Sequence, residues 1–156
     1  MKLWVSIFVV AIALVSTGRA AAPKQKITHE MVLNAIMTFR VDPLSEDARQ
    51  AGGLVMEFTE QSHDVVVKIR QKTLPFLSNK SLPEKYKAIL LAAFVVGNVD
   101  SQLLRHQKKD DSYAGMIQMI ESYRQTQRKD PTLRIAEVEK FIEMQSRGEL
   151  KGYVSS

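Results

Sequence analysis

Glu60 and His63 stand three residues apart, with Glu57 and Asp64 beside them, and Glu-x-x-His is a spacing that metal chemistry uses. On a helix such a pair shares one face, which is how carboxylate-bridged two-metal bundles aim both ligands at the same ions. A centre of that kind draws a second Glu-x-x-His and further carboxylates from other helices. His29 and His106 have no glutamate three residues ahead, and Leu33 occupies the place where His29-Glu30 would need the second histidine of a zinc-protease helix. No metal site is expected, and no cofactor. No Gly-x-Ser-x-Gly elbow exposes a serine nucleophile, and Gly52-Gly53 has no lysine or further glycine at the distance that a phosphate-cradling loop requires. No catalytic residue is assigned, and an enzyme is the less favoured class.

Asp100 is the acid that stands out. Its helical neighbours are Val96, Gly97, Leu103 and Leu104, so its carboxylate needs a cation or a helix start as partner, because an unpaired buried charge is costly. The functional alternative is an acid with a raised pKa, which would serve a hydrolase or lyase on a helical scaffold, with His106 nearby. Asn98 and Gln102, one turn apart, complete the speculative ligand-binding set with Asp100; the structural alternative is that they bond backbone or water. Met116, Met119 and Met144 suggest either core filling or a soft groove for an apolar ligand, the latter making the protein a carrier.

Charge points weakly to an anionic surface. Between positions 68 and 87, Lys68, Arg70, Lys72, Lys80, Lys85 and Lys87 face only Glu84. Nucleic-acid readers usually add an aromatic platform or a denser arginine stripe, so no nucleic acid is expected as partner.

All of these side chains must be positioned by helices. The fold expected is all-α, a single-domain bundle of about five helices around a central apolar helix at about 82–107. Thr28 caps a first helix that stops at Asp42-Pro43; Asp42-Pro43 or Ser45 starts a second. Gly52-Gly53 within it costs about 1 kcal/mol per residue in propensity, which close approach of a neighbouring helix would offset, a hinge being the alternative. "DVVVKIR", 64–70, has stiff β-branched side chains that favour a strand. Lacking a partner strand, it is read as a helix over about 62–72, with a two-stranded ribbon of 37–41 and 64–70 as the minority alternative. Ser81-Leu82-Pro83-Glu84 has the form of a capping box. "AILLAAFVVGN", 88–98, follows it. Ala88 to Val96 cover the whole helical circumference and so should be wrapped by protein, and this apolar run is too short to span a bilayer. From Gly97 onward Asn98, Ser101, Gln102 and Arg105 gather on a polar side, where the helix should emerge from the core. Asp110 or Asp111 caps the next helix, which ends at "KDP"; the last runs from about Ile135 to Arg147, with Gly148 as a left-handed stop. No period of 20–50 residues repeats.

The chain begins with Lys2, thirteen uncharged residues from Leu3 to Val15, and Gly18-Arg19-Ala20. That is the order of a secretory signal peptide with its cleavage site. The organisation expected is a signal peptide at 1–20, an exposed leader at 21–27, a helical domain at 28–150 and a tail at 151–156. Removing Lys2 and Arg19, with no acids, lowers the formal charge from +5 to +3. No cysteine is present to staple the domain, so stability rests on packing. The function expected is binding, by a secreted or periplasmic helical module that interacts with or assists an envelope component, with a protein partner or a second copy as candidate. Once the signal is cleaved, no integral membrane segment is expected.

Overall fold

The computed structural model describes residues 26–155. The signal peptide and its cleavage site, most of the exposed leader and Ser156 lie outside the described residues. Among the described residues there are six α-helices and no strand: α1 His29–Val41, α2 Glu46–Gln61, α3 Glu84–Arg105, α4 Ser112–Lys129, α5 Ala136–Ser146 and α6 Leu150–Ser155.

Local chemistry sets most of these boundaries. The hydroxyl of Thr28 accepts from the Met31 amide at 3.3 Å, and that of Ser45 accepts from the Ala48 amide at 3.0 Å, each satisfying a first-turn donor that the helix itself leaves unpaired. Asp111 does the same for Ala114 at 3.0 Å. Gly148, with φ of 73°, takes the left-handed conformation that closes the turn after α5. The start of α3 departs from expectation. Pro83 is the cap residue, with no side-chain bond, while the Ser81 amide donates to Asn79 Oδ1 at 3.0 Å. Pro83 holds an extended ψ of 138°, which places it outside the helix, so the Ser81–Glu84 box does not close.

α3 is the central rod. Every residue from Ala92 to Val99 is buried, whereas Ala88 is exposed, so the wrapped stretch begins about one turn later than the apolar run suggests. The helix is 22 residues long and its most apolar 18-residue stretch has a mean hydropathy of 1.4, enough on length and composition to cross a membrane, so the length of the apolar run alone does not exclude that role. Burial of 61% of its most apolar window inside the bundle assigns it to the core.

Close approach of α3 and α4 rests on glycine. A β-carbon on Gly97 would lie 2.5 Å from Gln118 Cβ and 2.6 Å from the Ala114 carbonyl oxygen, and one on Gly115 would lie 2.7 Å from the Phe94 carbonyl oxygen. Backbone meets backbone here. On α2, a β-carbon on Gly52 would meet Ala92 at 3.1 Å, which is the close approach expected, but Gly53 faces open space.

Two segments are corrected outright. Residues 62–72 form neither the expected helix nor the alternative ribbon: α2 ends at Gln61, and 65–70 run without regular structure before a single 3₁₀ turn at Pro75–Ser78. The valines keep the backbone out of the helix, and side chains supply the bonds that a partner strand would have made. At the other end, 150–155 are not a loose tail; α6 buries Leu150 and Val154, and Tyr153 donates to the Lys72 carbonyl at 3.1 Å while the Lys72 ammonium sits 4.6 Å from its ring.

Candidate functional site: a basic cleft

Asn98, Ser101, Gln102 and Arg105 recur at helical spacing along one stripe of α3. Only its last part emerges as expected: Asn98 is 0% and Gln102 3% exposed, Ser101 is half-buried and Arg105 is exposed. The stripe faces the extended segment and the start of α4. Gln102 Nε2 donates to the Val66 carbonyl at 2.8 Å and to Asn98 Oδ1 at 2.7 Å, while its Oε1 accepts from the Val66 amide at 2.9 Å. Asn98 Oδ1 also accepts from the Asp111 amide at 2.9 Å, and its Nδ2 donates to Asp110 Oδ1, again at 2.9 Å. The Lys68 amide donates to Asp110 at 2.8 Å and the Ser112 hydroxyl at 2.7 Å. Asn98 and Gln102 are therefore spent on joining three chain segments, and Asn98 offers no edge to a ligand.

Outside this network lies a concavity of about 540 Å³, walled by the extended segment, the end of α3, the α3–α4 loop, the start of α4 and α6. Lys68, Arg70, Arg105, Lys109 and Lys151 line it, five cations against the two carboxylates Asp110 and Asp111. Both acids are engaged. Asp110 holds the three donors already named; Asp111 accepts from the Ser101 hydroxyl at 2.6 Å, and Arg105 stands 3.5 Å away. Burial pushes the Asp111 carboxyl upward, but the Ser101 hydroxyl, the Ala114 amide and the Arg105 and Lys151 cations outweigh it and hold the group below its ordinary 3.8. Among the described residues no hydrogen bond or ion pair engages the side-chain ends of Lys68, Arg70, Lys109 or Lys151. The cleft thus presents an excess of positive charge with its acids already internally bonded.

The other candidates are placed elsewhere. Asp100 meets a cation: Arg40 Nη2 lies 2.8 Å from its Oδ2, and Arg40 Nε donates to Gln118 Oε1 at 2.7 Å. Glu60 is the penultimate residue of α2 and His63 lies beyond its end, so the Glu-x-x-His pair shares no helical face. Among the described residues no group of three potential ligands assembles. Asp64 instead pairs with His29 at 2.8 Å beside a second concavity of about 500 Å³ at the start of α1. His106 takes a left-handed φ of 52° to end α3. Met116 and Met119 are fully buried and fill the core.

The basic patch expected to meet an anionic surface divides. Lys68 and Arg70 reach the cleft, Lys72 lies over Tyr153, Lys85 over Tyr86, and Lys87 pairs with Glu84 at 2.8 Å. Lys109 and Lys151 were invisible as partners because they lie about 40 and 80 residues downstream in a loop and a supposed tail, with no spacing to link them. Comparison with protein-family models, curated proteins and solved structures finds no match to this chain.

Proposed function

We propose that the protein is an exported helical module that acts by binding, and that its binding surface is the basic cleft, which takes an anionic partner of the envelope or periplasm. The observation that carries this reading is the convergence of five cations on one concavity whose only two acids are already bonded internally. Concave sites with a few convergent polar groups are where ligands generally bind. The leader sequence supports export, and the pairing of Asp100 with Arg40 favours binding over acid catalysis at that residue.

Native mass spectrometry of the protein extracted from the envelope of its producing cell tests both parts. The expected chain begins near Ala21 and carries additional mass that high salt removes and that the double variant K68E/R105E lacks. A chain retaining residues 1–20, or a charge-reversed variant that keeps its partner, would overturn the reading.

A further inference from the structure

We propose that the ligand of this cleft carries two phosphate groups, as a diphosphate or a bisphosphate; the proposal rests on the anion-binding reading above and specifies its chemistry. Five cations less two carboxylates leave an excess of three positive charges at the lining. A phosphomonoester brings only about −1.5 to −2 at neutral pH, so a second phosphate is needed to approach balance. Geometry favours phosphate over carboxylate. The cations come from four separate pieces of chain: Lys68 and Arg70 from the extended segment, Arg105 from the last turn of α3, Lys109 from the loop, and Lys151 from α6. A carboxylate offers two oxygens in one plane, whereas a phosphate offers three terminal oxygens that meet donors from several directions, and arginine forks suit such groups.

The volume and lining narrow the ligand further. About 540 Å³ is the size of a small-molecule site, and Tyr113 is the sole aromatic residue among those that line it, which supplies no run of stacking platforms for a nucleic-acid strand. Asp110 and Asp111 do not make the cleft a metal site, because their oxygens are occupied by protein donors. A diphosphate could arrive free in solution or as the headgroup of a lipid, and the chemistry recognised is the same.

Isothermal titration of the purified protein with inorganic pyrophosphate, orthophosphate and citrate at physiological salt decides the class. Pyrophosphate is expected to bind about tenfold or more tightly than orthophosphate, and R105E or K151E to weaken it by about tenfold each, the scale of a lost charge-assisted contact. K80E, away from the cleft, serves as the control and should bind as the unaltered protein does, with circular dichroism confirming that all three variants are folded. Equal affinity for the two phosphates, or preference for citrate, overturns the diphosphate assignment while leaving an anion site. Absence of binding by all three anions removes the anion-binding reading as well. Phosphatidylcholine vesicles carrying a diphosphate-headgroup lipid identify the source: capture that pyrophosphate competes away supports a lipid ligand at this site, and pyrophosphate binding without capture supports a soluble one.

Discussion

The side-chain amide of Gln102 closes both backbone hydrogen bonds of Val66, accepting from its amide at 2.9 Å and donating to its carbonyl at 2.8 Å. One glutamine on the central helix thus does for an isolated extended segment what a neighbouring strand does in a sheet. It also holds Lys68 and Arg70 at the cleft, since these follow Val66 within four residues.

Replacing Gln102 by leucine leaves the Val66 amide and carbonyl without partners next to a buried side chain, at a cost of about 1–3 kcal/mol for each unsatisfied group. The expected result is a loss of about 3 kcal/mol in urea unfolding, accompanied by fast hydrogen exchange at the Val66 amide. Unchanged protection at Val66 in Q102L would show that something else holds the segment.

Sequence periodicity and capping chemistry made the all-helical fold and the central position of α3 legible, because Thr28, Ser45 and Asp111 act locally, within three residues of the amides they cap. The segment 62–72 was not legible for the opposite reason. Its partners, Gln102 and Asp110, lie 36 and 42 residues away and are side chains, so no strand pattern announces them. The same holds for the site. Asp100 was read correctly as needing a cation, but no rule of spacing names Arg40, and the polar stripe of Asn98 and Gln102 looks the same in sequence whether water or another segment covers it.

Glycine substitutions should separate two roles that look alike in sequence. Gly97→Ala drives a methyl group into the Ala114 carbonyl and Gln118, so α3 and α4 must part; a loss of about 3 kcal/mol is expected, at the upper end of overpacking costs. Gly53→Ala adds a methyl in open space on α2 and should stabilise by up to about 1 kcal/mol through helix propensity. Thermal midpoints of the two variants should therefore move in opposite directions. A stable G97A would contradict the close α3–α4 contact.

Tyr123 gives the fold an alkaline limit. Its phenol is pushed up to about 12, first by burial and then by the Glu139 carboxylate, which accepts its proton in a 2.6 Å hydrogen bond, against the opposing bond from the Ile135 amide. A pKa raised in the folded state means that the neutral form is favoured by folding. Its stabilisation is complete below the ordinary tyrosine value of 10.0 and declines as pH rises from there through about 12. Unfolding midpoints measured from neutral to strongly alkaline pH should fall across that window in the unaltered protein. Tyr123→Phe should be about 1–3 kcal/mol less stable at neutral pH, because the Ile135 amide and Gln127 lose their acceptor, and the gap between the two proteins should narrow as pH rises. A gap that stays constant to the alkaline end would refute the assignment.

Arg40 staples three helices at one point. It leaves α1 to donate through Nη2 to Asp100 on α3 and through Nε to Gln118 on α4, and Gln118 in turn donates to Ser122 at 3.3 Å. The Asp100 side chain is only 14% exposed, so removing its cation strands a carboxylate in a largely dry place, while the arginine, at 41%, retains access to water. Loss of the cation should therefore cost more than loss of the acid. Arg40→Met is expected to destabilise by about 2 kcal/mol and Asp100→Asn by about 1 kcal/mol, with a coupling of about 1 kcal/mol in a double-mutant cycle, at the upper end of the range of exposed pairs. Arg40→Lys should recover only part of the loss, since a single ammonium on a flexible stem does not reproduce a planar fork aimed at two acceptors. Full recovery by lysine would mean that charge alone, and not the shared geometry of Asp100 and Gln118, fixes α1 against α3 and α4.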